Sequence, residues 1–154
     1  VAVNLNTRVA TSAWGAGSGV NILRDITGMK QQIRENGYMP DGGVLALNSL
    51  QHRLMLEEFV NTRGASFTGF SSDKIRSGVV DEVANMKIIL SENVVSGSAC
   101  MWIPNTTATW FSFFDLDTAI IDEPLIGKKI RVKMEGEAIL HDPKSGCLLT
   151  GIGA

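Results

Sequence analysis

The sequence predicts an α+β fold: a mostly antiparallel central sheet flanked by helices, with a long C-terminal antiparallel strand pair. Two observations carry this reading. Helical periodicity is confined to the first half of the chain, where two such stretches bracket one short apolar run. Strand-like patterns crowd the second half, and helices and strands that segregate rather than alternate describe α+β. The second observation is the run in which Lys129, Arg131, Lys133 and Glu135 alternate with Ile130, Val132 and Met134. Strict period-two alternation marks a strand with one wet and one buried face. Asp142–Pro143–Lys144–Ser145–Gly146 follows as a turn signal, then the apolar run Cys147–Leu148–Leu149–Thr150–Gly151–Ile152. Proline presets φ for a turn, and Gly146 is free to take a positive φ. The Lys128 strand is therefore expected to return antiparallel on the Cys147 strand, with Ile130, Val132 and Met134 facing the core. Leu148 and Leu149 make the returning strand apolar on both faces, so the upstream chain must cover it.

A chain of 154 residues fits one domain and is long enough for a sizeable core. Its 44% apolar and 19% charged residues are ordinary for a globular protein. A net charge of −2 argues against a general polyanion binder. Cys100 and Cys147 lie far apart with no CxxC or Cys/His spacing, which argues against structural zinc and suits a reducing compartment. No apolar run approaches about 18 residues, so no membrane span is expected, and no signal-peptide pattern stands at the start. The first residue is Val1 rather than methionine, which suggests a piece of something longer.

Taken in order, Val1–Ala2–Val3 reads as a short edge strand and Gly15–Ala16–Gly17–Ser18–Gly19 as a flexible break. From Ser18 a helix is expected, because Ile22, Ile26, Met29 and Ile33 recur at i, i+4, i+7 and i+11. Ser18 or Asn21 caps its start, and Asn36–Gly37 supplies a left-handed stop. Pro40–Asp41–Gly42–Gly43 is a turn, and Val44–Leu45–Ala46–Leu47 a short buried strand. Asn48 then caps a second helix, with Gln51 completing a capping box and Leu50, Leu54 and Phe59 facing inward. Asn61 to Ser77 has no period, and a loop this long is usually functional or mobile; its Phe67 and Phe70 are expected to pack against something. Met86–Leu90, Ala99–Ile103, Trp110–Leu116 and Thr118–Asp122 read as strands.

Residues that could carry chemistry are few. Gly15-x-Gly17-x-Gly19 runs into a helix, where backbone N–H groups can cradle phosphate. The spacing is not GxGxxG, no GK[ST] follows, and Arg8–Trp14 is a poor strand, so a plain flexible lead into the helix is the better reading. Asp115, Asp117, Asp122 and Glu123 gather carboxylates as a hard cation would need, but Leu116, Ala119, Ile120 and Ile121 interrupt the alternate-ligand pattern. A solvated edge explains them better. His52, beside Arg53 and near Glu57 and Glu58, is expected on a solvated helix surface, and His141 in a turn. No GxSxG serine or HExxH occurs. Cys147 heads a buried strand, where cysteine behaves as a small hydrophobe. No catalytic, cofactor or metal residues are assigned.

Two stretches together carry a family resemblance. The first runs from Asp25–Ile26 through Asn36–Gly37 and Pro40–Asp41 to Val44–Asn48 and Leu50–Leu54. The second leads from Met86–Leu90 through Ala99–Ile103 to Lys129–Val132, Leu140–Lys144 and Leu148–Gly151. Together they resemble the C-terminal half of the major capsid protein of tailed bacteriophages with the Hong Kong 97 fold, a fold also used by encapsulin shells. The resemblance implies an extended opening segment at 1–17, an axial-type α+β domain at 18–125, and a long closing strand pair of peripheral type at 126–154. It implies a structural subunit, not an enzyme, that joins copies of itself into capsomers. Those capsomers enclose the viral genome without sequence-specific binding, in a virion assembled in the host cytoplasm, with no cofactor and no membrane. The family's N-terminal arm, extended loop and spine helix do not precede this stretch, so the chain alone is expected not to close shells. Members that crosslink use an asparagine ahead of the last long strand; Gly127–Lys128–Lys129 stands there, so self-crosslinking is not expected. The alternatives are an encapsulin-like compartment subunit, a small nucleotide- or ligand-binding domain using Gly15–Gly19, and a generic α+β enzyme domain.

Overall fold

A computed structural model describes residues 5–17, 19–63, 82–123 and 127–153, with the backbone alone at 60–63 and 123. Strand β1 (Asn6–Val9) leads to helix α1 (Ile22–Glu35), strand β2 (Val44–Leu47) and helix α2 (Ser49–Arg63). Strands β3 (Glu82–Val83), β4 (Met86–Leu90) and β5 (Ser98–Trp102) follow, then the long strands β6 (Ala108–Glu123) and β7 (Gly127–Leu140). A 3-10 turn at Pro143–Ser145 delivers β8 (Cys147–Thr150). A six-stranded sheet runs in the order β1-β8-β5-β2-β4-β3, and β6 pairs with β7 in a separate two-stranded sheet. The architecture is α+β with a mostly antiparallel sheet: β1–β8 and β2–β4 are parallel, whereas β8–β5, β5–β2 and β4–β3 are antiparallel.

Helix α1 forms where the periodicity places it. Ile22, Ile26, Met29 and Ile33 are fully buried, and each such side chain contributes about 1.5–3 kcal/mol on burial. Of the two expected caps, Asn21 serves, its Oδ1 accepting from the Arg24 N–H at 3.1 Å; Ser18 lies outside the described residues. Gly37 takes the left-handed φ of 87° that ends the helix. The buried Asp25 holds the segment ahead of the helix, accepting from Thr11 N at 3.0 Å, Thr11 Oγ1 at 2.8 Å and Trp14 Nε1 at 3.1 Å. On the far side, Lys30 Nζ meets Asp41 Oδ1 at 2.5 Å and the Ala84 carbonyl at 2.6 Å, and Arg34 meets Asp41 Oδ2 at 2.8 Å. These two cations hold the Asp41 carboxyl at about 2, below its ordinary value.

Strand β2 is buried at all four positions. Alternate residues point to opposite faces, so both faces of the sheet are covered here. The core draws Ile26 and Met29 from α1, Met55 and Phe59 from α2, and Leu45, Leu47, Met101 and Leu149 from the sheet.

Several expectations change. Asn48 Oδ1 does accept from the Leu50 N–H at 3.0 Å, but the capping box does not form. Gln51 shares the inward stripe of Met55 and Phe59, at i, i+4 and i+8, and is fully buried. His52 lies beside it and is buried too, not solvated. Helix α2 continues to Arg63, past the expected start of the loop at Asn61. The rest of that loop, with Phe67 and Phe70, lies outside the described residues, as does the Val1–Val3 strand. Gly146 has a φ of −113°, not a positive one. Trp110–Leu116 and Thr118–Asp122 are one strand, β6. The largest change is in pairing: β7 runs against β6, whereas β8 lies between β5 and β1.

Candidate assembly surface

The hairpin of β6 and β7 is the part of the molecule that its own core does not explain. Its strands have 16 and 14 residues, about 45–50 Å at roughly 3.3 Å per residue. Every described side chain of β7 is exposed apart from Gly136. Of the exposed large apolar residues, eleven lie on this hairpin, from Trp110 to Leu140, and five elsewhere. A lone two-stranded hairpin is at best marginally stable in water, and scattered surface apolar residues need no explanation while a concentration of them does.

The register sorts the hairpin into two unlike faces, because directly opposed residues share a face. Trp110 opposes Ala138, Thr118 opposes Val132, Ile120 opposes Ile130, and Ala108 opposes Leu140. With Met134 and Gly136 these make one largely apolar face. On the other face Phe111 opposes Glu137, Phe114 opposes Glu135, Asp117 opposes Lys133, and Ala119 opposes Arg131. The contacts agree with the sorting. The Lys133 ammonium sits 4.6 Å from the centroid of the Phe114 ring and 3.0 Å from Glu135. The Trp110 indole lies so close over Gly136 that a Cβ there would come within 2.5 Å of it. Thus Ile130, Val132 and Met134 share a face as the alternation requires, but at 68%, 57% and 60% exposure they do not enter the core of this chain. Alternation fixes that a strand has two faces; it does not say what covers either.

Strand β6 spends 16 residues against the 14 of β7, and the two extra residues sit at register shifts between Ser112 and Phe114 and between Phe114 and Asp117. These bulges break the period of β6, which explains why its sequence reads as two strands. The base of the hairpin is tied into the six-stranded sheet. Thr107 Oγ1 accepts from the Ile103 N–H at 3.0 Å and lies 2.8 Å from Ser145 Oγ, which reaches the Asp142 carbonyl at 2.7 Å. The Thr107 carbonyl takes the His141 N–H at 2.8 Å. Tyr38 donates to the Asp142 carboxylate, which lowers the carboxyl pKa and raises that of the phenol.

The other residues weighed from the sequence fall in separate places. Gly17 and Gly19 both take a φ of 74°, and the recess beside them is walled by Trp14, Leu54, Glu57 and Glu58. Two carboxylates there disfavour phosphate, and the Asn21 side chain already takes the Arg24 N–H at the start of α1. Asp117 and Asp122 are opposed by Lys133 and Lys128 respectively, five residues apart along β6; among the described residues no three His, Cys, Asp or Glu side chains gather as metal ligands would. His141 is exposed and meets Phe111 edge-on at 6.0 Å. Burial pushes the Cys147 thiol up to about 11, away from the thiolate a nucleophile needs. Among the described residues no helix is long and apolar enough to cross a membrane. The exposure of the hairpin was missed from the sequence, which placed Ile130, Val132 and Met134 in the core.

Compared with protein-family models and with curated proteins, the sequence matches none. Solved structures share its fold. A chain from Mycobacterium phage Che8 superposes with a TM-score of 0.69 at 12% identity, over 99% of this chain and 55% of that one. A virus-like particle from Pyrococcus furiosus gives 0.62 at 11% identity, over 94% and 56%. The satellite phage P4 procapsid, which includes the size determination (Sid) protein, gives 0.51 at 11% identity, over 96% and 48%. The chain thus spans about half the length of the solved chains it matches.

Proposed function

We propose that this chain is part of a shell-forming subunit, the major capsid protein of a tailed bacteriophage with the Hong Kong 97 fold. The observation that carries the reading is the hairpin, an amphipathic arm of about 45–50 Å that buries almost nothing among the described residues. A protein that works by joining copies of itself needs apolar surface left open until assembly. The fold shared with chains from a phage, a procapsid and a virus-like particle supports the same reading. In this reading the helices and six-stranded sheet form the axial-type part, and the hairpin supplies peripheral-type strands. The role is structural rather than catalytic, with no cofactor. The shell encloses the genome through its shape and not through base recognition, and the subunit ends in a virion built in the host cytoplasm.

The likeness to the virus-like particle supports a second reading, an encapsulin-like compartment subunit that encloses something other than a genome. Electron microscopy of the protein at its natural length tests the shell, and absorbance at 260 against 280 nm in purified particles separates the two readings. Closed particles rich in nucleic acid are expected. Val132→Asp is expected to abolish them while the chain still melts as the wild type does. A natural-length protein that stays monomeric at every concentration overturns the proposal.

A further inference from the structure

The turn between β3 and β4 is held in a conformation that its sequence does not favour. Ala84 and Asn85 take φ values of 51° and 60°, so both central residues of this two-residue connection are left-handed. Such turns are usually built from asparagine, aspartate and glycine, because in this region a Cβ crowds the following carbonyl oxygen. Asparagine tolerates the region and alanine does not. Among the described residues the third non-glycine position with a positive φ is Asn105, again an asparagine. The ladder beside the turn is too short to impose the conformation, since β3 meets β4 only through Glu82–Lys87 and Val83–Met86. A strained backbone persists only where its surroundings over-determine it.

Those surroundings come from α1 and from the turn ahead of β2. Lys30 Nζ donates to the Ala84 carbonyl at 2.6 Å and to Asp41 Oδ1 at 2.5 Å, and the Gly42 N–H donates to the Asn85 carbonyl at 2.9 Å. Both carbonyls of the strained pair are thus taken by groups outside the hairpin. We infer that Lys30 is a latch on this turn. With its ammonium between Asp41 and Ala84 the turn stays left-handed and β3 lies on β4; when the ammonium withdraws, the turn relaxes and β3 leaves the sheet. The ammonium rides on α1 whereas the carbonyl it holds belongs to the sheet, so the latch couples the position of the helix to the edge of the sheet. Val83, 6% exposed within the core, favours the closed form and is the side chain that opening uncovers. Strand β4 has its own support: the Lys87 and Ser91 N–H groups donate to the Gly43 and Leu47 carbonyls, both at 2.9 Å, so it stays on β2 when β3 lifts. Every group of the latch lies between Lys30 and Lys87, and it does not depend on the chain's role in a shell.

Amide hydrogen exchange on the protein at its natural length tests the latch. Lys30→Met removes a hydrogen bond from a charged donor, and is expected to speed exchange about 10–100-fold at Gly42, Val83 and Met86 while Lys87 and Ser91 stay within about 3-fold of wild type. Ala84→Gly removes the strain and leaves the ammonium in place. Alone it is expected to exchange no faster than wild type at the turn, and combined with Lys30→Met it is expected to bring the three amides back to within about 3-fold of wild type. A lysine that served only to pack α1 against the sheet would respond to Lys30→Met but not to this rescue. Ala84→Val is the converse, a β-branched residue at a positive φ, and is expected to open the turn with Lys30 present. Lys30→Met that exchanges like wild type at all three amides, exchange that rises equally at Lys87 and Ser91, or a double variant that is not rescued overturns the inference. If Lys30→Met does not fold, the two Ala84 variants decide it: equal exchange at Val83 and Met86 in Ala84→Gly and Ala84→Val overturns the latch.

Discussion

Thr107→Val tests how the hairpin is held to the sheet. Thr107 is 3% exposed and its hydroxyl sits inside a chain of hydrogen bonds: the Ile103 N–H donates to Thr107 Oγ1, Oγ1 lies 2.8 Å from Ser145 Oγ, and Ser145 Oγ donates to the Asp142 carbonyl. With Ser145 giving its proton to Asp142, Thr107 donates to Ser145, and every hydroxyl proton in the chain has a place. Valine keeps the shape and removes the link. The Ile103 N–H then has no acceptor and Ser145 loses its donor, in a place where Ser145 is fully buried. An unmet buried polar group costs about 1–3 kcal/mol. For a domain of this size each kcal/mol moves Tm by about 2–4 °C, so a loss near 2 kcal/mol lowers Tm by about 4–8 °C. Urea melts of Thr107→Val and Thr107→Ser make the comparison. Serine keeps the oxygen and gives up one methyl group, about 0.8 kcal/mol, and is expected to be the milder change. A Thr107→Val protein within 0.5 kcal/mol of wild type, or a Thr107→Ser protein equally damaged, refutes the relay.

Leu45→Ala, at a fully buried position in the central strand, is expected to cost about 2–5 kcal/mol in a denaturant melt. Gly136→Ala places a Cβ within 2.6 Å of the Phe111 carbonyl as well as against the Trp110 ring; hydrogen exchange is expected to rise across β6 and β7 while β2 stays protected. Asp41 is depressed to about 2 from an ordinary 3.8 by Lys30 and Arg34, so its contribution is complete above the ordinary value and is lost as pH falls through the folded one. The stability gap between wild type and Asp41→Asn is therefore expected to be full near neutrality and to close toward pH 2, as read from urea melts at several pH values.

Sequence by itself determined the elements whose signal is local. The stripe of Ile22, Ile26, Met29 and Ile33 is a property of one helix, so its period predicts burial at those four positions. The buried run at Val44–Leu47, the stop at Gly37 and the two-faced nature of β7 are local in the same sense, as is the cap, although the choice of Asn21 over Ser18 came from the structure. What only the tertiary structure decided is nonlocal. Asp142–Gly146 has the composition of a hairpin turn, yet Ser145 and Asp142 tie it to Thr107 and Tyr38, and it carries the chain from the hairpin back into the central sheet. Strand β8 then pairs its backbone on both sides, between β5 and β1, and β7 pairs one row of its own with β6. His52 and Gln51 were unreadable for a related reason: which side of α2 is inward depends on where the sheet lies, and that direction places a histidine and an amide in the core. Hydrophobic periodicity records that a face must leave water, whereas the choice of what covers it, this chain or a second copy, belongs to packing between distant segments.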